Sequence, residues 1–353
     1  MNLEDVEKIA EAVLYEGYML YPYRASAVKN QQRWNFGVLC PKAYSEQQEG
    51  ADAWMMQTEC LLRADASTQL EIEIRFLQIV DRSVGKLPYA LTEIPPAAEL
   101  DFELVDKLTV GSRTYVPWQE ARERKVRVPV LYPAAFSLHR HSFFEFRSDR
   151  ETEPIRDRDG LIEGVVMREW ETLTGSVEVD LKPCRDGLIK VTARLRNLTL
   201  PGAMPLQDRA GALTHSFISA HTILGAEGGE FISLLDPPLE FSDLIGECSN
   251  FGTWPVLVGD KGTRSAMLSS PIILYDHPQI APESPGSLFD GTEIDEILSL
   301  RILTMTDEEK REMRQSDERA REILERTENM QAEQFMKLHG VLRELRPMVE
   351  EAR

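Results

Sequence analysis

The sequence predicts a mainly β protein with some α structure (α+β). Its body is an antiparallel β-sandwich type in one or two lobes, followed by a helical C-terminal extension. Two observations carry the β body. Leu70, Ile72, Ile74 and Phe76 alternate with Glu71, Glu73 and Arg75, and Ile189, Val191, Ala193 and Leu195 alternate with Lys190, Thr192, Arg194 and Arg196. That is the period of a strand with one buried and one wet face. A third observation carries the extension: after Thr306 the alternation gives way to charged residues around a sparse helical stripe.

In chain order, Leu3, Val6, Ile9, Ala10 and Val13 fall near a 3.6 period, so 3–14 reads as a helix with acids in its first turn. An aromatic stretch from Tyr15 to Tyr23 follows, then an expected strand from Trp34 to Cys40. Leu87 to Pro96 reads as an extended crossing segment, because its prolines cannot donate to a central ladder. Glu151 to Gly160 reads as a charged loop and marks a boundary between lobes. Val177, Val179 and Leu181 begin a strand that Pro183-Cys184-Arg185-Asp186-Gly187 turns into a hairpin. An offset of 119 (191 − 72) places Leu62 on Leu181 and Ile72 on Val191, which either a duplicated β unit or two similar hairpins would produce. Segments near 214–224, 230–235, 254–258 and 266–275 are further strand candidates. Thr306-Asp307-Glu308-Glu309 is a capping box opening a surface helix, and Phe335, Leu338, Leu342 and Leu345 form a second apolar stripe. The expected division is 1–150 (N-terminal helix and first β lobe), 151–305 (second β lobe) and 306–353 (helical extension).

The 353 residues carry 40 Lys and Arg against 59 Asp and Glu, a net charge of −19. Nucleic-acid binding draws its affinity from cations on phosphates, so this balance argues against a nucleic-acid partner. No window approaches the roughly 18 apolar residues of a membrane span. The start, MNLEDVEKIAEAVLYEGY, lacks the basic and apolar regions of a signal peptide. Cys40, Cys60, Cys184 and Cys248 are far apart and form no C-x-x-C pair, so they read as free thiols in a reducing cytoplasm.

Four patterns are candidates for chemistry. On a strand 136–146, His139 and His141 would project from one face about 7 Å apart, a usable start for a divalent-metal site. His215, His221 or Cys248 would supply a third ligand; the alternative is two polar histidines on a wet face. Asp276-His277 with Glu283, Asp290, Glu293, Asp295 and Glu296 gathers hard ligands in a loop, but matches no calcium-loop spacing. Tyr15, Tyr18, Tyr21, Tyr23, Arg24, Lys29, Arg33 and Trp34 combine the residue types that anchor interfaces. Arg122, Arg124, Lys125 and Arg127 read as charges guarding an edge strand. There is no nucleophile elbow, P-loop or dinucleotide fingerprint; Gly225-Ala226-Glu227-Gly228-Gly229 lacks the lysine that a phosphate loop needs.

Two stretches, EGYMLYPYRASAVKNQQRWNFGVLCP and SSPIILYDHPQIAPESPGSLFDGTEIDEILSLRILTMTDEEKREM, resemble an uncharacterised bacterial family associated with gene clusters of oxygen-tolerant nickel–iron hydrogenases. The resemblance implies an accessory or assembly role beside a metalloenzyme and assigns no catalytic residue. The expected function is therefore a non-enzymatic binding or assembly protein. No cofactor is expected, and its partner is another protein, a hydrogenase subunit or a second copy. The interface residues would be Tyr15, Tyr18, Tyr21, Tyr23, Arg24, Trp34, Phe335, Leu338, Leu342 and Leu345. The rival is a metal-dependent, hydrolase-like enzyme built on His139 and His141; a small-ligand or carbohydrate-binding β-sandwich is the third reading.

Overall fold

The computed structural model describes residues 37–95, 100–132, 137–200 and 208–278, with isolated positions at 9, 10, 14, 306, 307, 310, 314, 324, 325, 328 and 329. The strands are β1 (Met55–Arg63), β2 (Gln69–Leu91), β3 (Glu103–Leu104), β4 (Leu108–Val110), β5 (Arg113–Tyr115), β6 (Trp118–Leu131), β7 (Leu138–Phe146) and β8 (Asp149–Arg156). They continue as β9 (Ile162–Trp170), β10 (Leu173–Pro183), β11 (Leu188–Asn197), β12 (Ile218–Glu227), β13 (Glu230–Phe231), β14 (Trp254–Leu257) and β15 (Ala266–Ser270). Short helices α1 (Lys42–Gln47), α2 (Arg209–Leu213) and α3 (Ser242–Gly246) lie between them.

A five-stranded sheet runs β13-β1-β11-β10-β7. A larger one runs β14-β15-β12-β2-β9-β8, with β3 and β6 also on β2. Every strand pair in them is antiparallel. β2 is the spine. Along one edge it pairs first with β12 and then with β9, and along the other with β6 and then β3. Its length corrects the expected crossing segment: the strand continues to Leu91, and Pro88 is accommodated where the register with β9 shifts between Lys86 and Leu91.

Both sheets take strands from either side of residue 150: β1 pairs with β11, and β2 pairs with β9 and β12. The stretch expected as a charged loop, Glu151 to Gly160, is strand β8 as far as Arg156. β8 pairs only with β9 among the described residues, and an edge position tolerates Pro154 and the flanking charges. The β10–β11 hairpin forms as its turn residues dictate, with Asp186 at φ 58° and Gly187 at φ 69°, the two left-handed central positions of a type I′ turn. β1 and β2, which the offset of 119 matches to that hairpin, instead enter different sheets. The two stretches share an alternation but not a pairing.

Met56, Cys60 and Leu62 of β1, Val177, Val179 and Leu181 of β10, and Leu70, Ile72, Ile74 and Phe76 of β2 belong to one buried apolar cluster, so both main sheets contribute to the same core. Phe76 sits at its centre, stacked on Phe217 at 4.4 Å between ring centroids. The far side of β2 is not the wet face that alternation suggests. Leu77, Ile79 and Ile218 are covered by Leu14, and Ile223, Val256 and Leu268 by Ile9 and Ala10. Those three covering residues are helical; Ile9 and Ala10 belong to the apolar stripe expected at 3–14, and Leu14 does not. Leu39, expected within a strand, makes only an isolated bridge to Phe217. Near the other terminus, Lys310 and Arg314 both ion-pair with Glu328. On one straight helix Lys310 and Glu328 would be about 27 Å apart, so these helical positions lie side by side on two stretches.

Candidate functional site

The outer face of the five-stranded sheet carries a continuous polar network. β7 does form, and strict alternation sends His139, His141, Phe143 and Glu145 outward. Its register with β10 sets His139 beside Asp180, His141 beside Glu178 and Phe143 beside Ser176. β11 adds Thr192, Arg194 and Arg196 to those three rows, and β1 adds Glu59, Gln57 and Met55. Each row is thus four strands wide.

Hydrogen bonds lock the rows together. His139 Nδ1 lies 2.7 Å from Asp180 Oδ1. Arg194 Nη1 donates to Asp180 Oδ2 at 2.7 Å and to Glu178 Oε1 at 2.8 Å, while its Nε donates to Gln57 Oε1 at 2.6 Å. Arg196 Nη1 donates to Glu178 Oε2 at 2.5 Å. Partial burial works to raise the pKa of Asp180, but hydrogen bonds from His139 and Arg194 outweigh it and hold the carboxyl below its usual range. Glu178 is likewise lowered, with Arg196 and Arg194 overcoming burial. At the end of the first row, Glu59 accepts from Thr192 Oγ1 and from the Ser249 amide and pairs with Lys190. Those contacts lower its pKa against the opposing effect of burial.

His139, Glu178 and Asp180 place one ligand atom each within 4.8 Å of one another. A metal could take such a set, but Arg194 already spans both carboxylates. A cation would have to displace that guanidinium or share the site with it. Zinc titration of the full chain is therefore expected to show no stoichiometric site, whereas Arg194→Ala, which frees both carboxylates, should gain measurable affinity. Tight binding by the unaltered chain, lost in His139→Ala, would contradict this.

The histidines nominated from sequence do not converge. His141 tilts over the Phe143 ring at 4.4 Å. Half-buried His215 lies 2.9 Å from Thr214 Oγ1 and 3.1 Å from Gly211 O. His221 is fully buried on the larger sheet, where Nδ1–H donates to Ser219 O at 3.0 Å. Cys248 packs in an apolar cluster with Leu61 and Phe241, and burial pushes its thiol up to about 11. The residues that do assemble around His139, namely Glu178, Asp180, Arg194 and Arg196, were visible in the sequence only as the wet face of a hairpin. Nothing local states that β7 lies beside β10.

The other candidates resolve into structure or lie elsewhere. The basic run sits on β6, an edge strand as expected, with Arg122 paired to Glu151 and Arg127 to Glu73. Asp276 accepts from the Leu257 amide and from Ser233 Oγ, which ties down a loop. A groove of about 640 Å³ opens at the glycine-rich turn, lined by Arg63, Asp65, Glu227, Gly228 and Glu230, an acidic setting unsuited to phosphate. Tyr15, Tyr18, Tyr21, Tyr23, Arg24, Trp34, Phe335, Leu338, Leu342 and Leu345 lie outside the described residues, as do Glu283, Asp290, Glu293, Asp295 and Glu296.

No protein-family model and no characterised protein matches the chain. Among solved structures, the secretin InvG of the Salmonella SPI-1 type III secretion injectisome, in its open-gate state, aligns at 14% identity with a TM-score of 0.10. The alignment covers 65% of this chain and 60% of that one, less than two thirds of its length. So slight a similarity does not speak for a shared fold. No helix among the described residues is long and apolar enough to cross a membrane.

Proposed function

We propose that this chain is a non-enzymatic binding and assembly protein, with the outer face of the five-stranded sheet as its working surface. The observation that carries the reading is the engagement of Glu178 and Asp180 by Arg194 and Arg196. These carboxylates are committed to cross-strand pairing instead of being poised as bases or ligands. What they build is a flat, charge-compensated platform rich in arginine and bordered by exposed Phe143, features suited to a protein contact. In this reading the body is a β-sandwich type with a helical C-terminal extension, working in the cytoplasm. The resemblance of its two terminal stretches supports an accessory role beside a nickel–iron hydrogenase.

The test mixes the full chain with purified nickel–iron hydrogenase and measures the dissociation constant by calorimetry. An Arg194→Ala, Arg196→Ala double variant, checked for native melting, should weaken binding at least tenfold. Unchanged affinity in that variant would reject the platform, and no binding by the unaltered chain would reject the hydrogenase as partner. A second reading, a metal-dependent enzyme, draws on the approach of His139 to the two carboxylates. The zinc titration above discriminates between them.

A further inference from the structure

Exposed sheet edges invite strand addition, and proteins usually blunt them with prolines, bulges, charges or shortness. Four edges here are blunted in those ways. β6 carries Pro129 and the basic run, and β8 carries Pro154 and a register shift. β14 has only four residues and includes Pro255, and β13 has two. β7 is different. Among the described residues it pairs only with β10, through an unbroken register from Leu138 to Phe146, and it contains neither proline nor glycine. It also presents Phe143 with 71% of its surface exposed.

We propose that β7 is the interface between two copies of this chain, joined antiparallel about a two-fold axis through Ser142, so that two five-stranded sheets become one of ten. The sequence LHRHSFFEF is complementary to itself in that register. His139 falls opposite Glu145 of the second copy, His141 opposite Phe143, and Leu138 opposite Phe146, so an imidazole meets a hydrogen-bond-accepting carboxylate and ring meets ring. Glu145 is held within its own chain by the exposed Arg147, a contact readily exchanged. A chain of net charge −19 repels its own copies over most of its surface. On β7, however, Arg140 balances the single acid Glu145, so the strand carries no net charge and is a suitable place for two copies to meet. The symmetry is that of an isologous dimer.

The test is the oligomeric state of the full chain by analytical ultracentrifugation. The expected species has twice the 40.2 kDa chain mass. Phe143→Lys, whose side chain points to solvent in the single chain, should raise the dimer dissociation constant at least tenfold without lowering the melting temperature. Ser142→Cys should give a covalent dimer on mild oxidation with a disulfide reagent such as oxidised glutathione, because opposed residues across an antiparallel pair lie about 4.5–5.5 Å apart at Cα. A monomer at ~100 μM would overturn the proposal. So would a dimer that tolerates Phe143→Lys and that Ser142→Cys does not cross-link, since its interface would then lie elsewhere.

Discussion

Between pH 6.5 and 4.5 the native state is expected to lose about 2 kcal/mol of stability through His221 alone. Burial is the main cause: His221 is fully enclosed, and its pKa is pushed down from the ordinary imidazole value of 6.5 to about 3. The Ser219 carbonyl opposes that shift slightly, and Arg75, its register partner on β2, adds to it. Because a carbonyl only accepts, Nδ1 carries the proton, and Nε2 is left as a buried acceptor without a partner among the described residues. Protonating it would place a second cation beside an arginine that is only 2% exposed.

The sign follows from the two pKa values. Above about 6.5 neither the folded nor the unfolded chain holds this proton, and the contribution to stability is complete. Between 6.5 and about 3 the unfolded chain binds a proton that the folded chain refuses, so stability falls with pH by about 1.4 kcal/mol per unit. Glu59, Glu178 and Asp180, whose pKa values are lowered, also lose stability in acid, but mainly below the normal carboxylate range. Urea denaturation at pH 7.0, 5.5 and 4.5 is the measurement. In His221→Asn, whose side-chain amide places a donor where Nδ1 lies for Ser219 O and does not titrate, the slope over that range should shrink by most of its value. Equal slopes in the two proteins would show that His221 is not the buried group responsible.

Phe76→Ala is expected to cost about 4 kcal/mol, against a total that for ordinary domains is about 5–15 kcal/mol. The ring is fully buried, stacks on Phe217 and lies 5.9 Å from Phe146 and 6.1 Å from Phe144. Phe144 and Phe146 come from β7, in the other sheet, so truncation opens a cavity where the two sheets meet. Phe76→Leu should cost much less, because it keeps most of the volume. Guanidinium denaturation of the three proteins gives both values. A loss below about 1.5 kcal/mol for Phe76→Ala would mean that the site collapses freely, or that Phe76 does not bridge the sheets.

The sequence made the strands legible where alternation was strict. The 136–146 stretch contains β7, the turn at Asp186-Gly187 sits between β10 and β11, and the candidate segments after residue 214 overlap β12 to β15. It read β8 as a loop because Pro154 and a run of charges look like a linker when the edge position that tolerates them is unknown. It also read Arg75 as solvent-facing, although Leu14, Leu77, Ile79 and Ile218 form a second apolar layer on that side of the larger sheet.

The candidate site divides along the same line. That His139 and His141 share a face, and that Glu178 and Asp180 share another, follows from a period of two residues, which is local and written in the chain. That the two faces are one, with Arg194 and Arg196 closing the carboxylates, depends on β7 lying beside β10 and β10 beside β11 in one particular register. A one-residue slip would send every side chain of β7 to the opposite face. Burying Phe144 and Phe146 against Phe76 selects the register, and those contacts join residues roughly 70 positions apart. Alternation could say what each strand would present. Only the packing of the two sheets decided what it would be presented to.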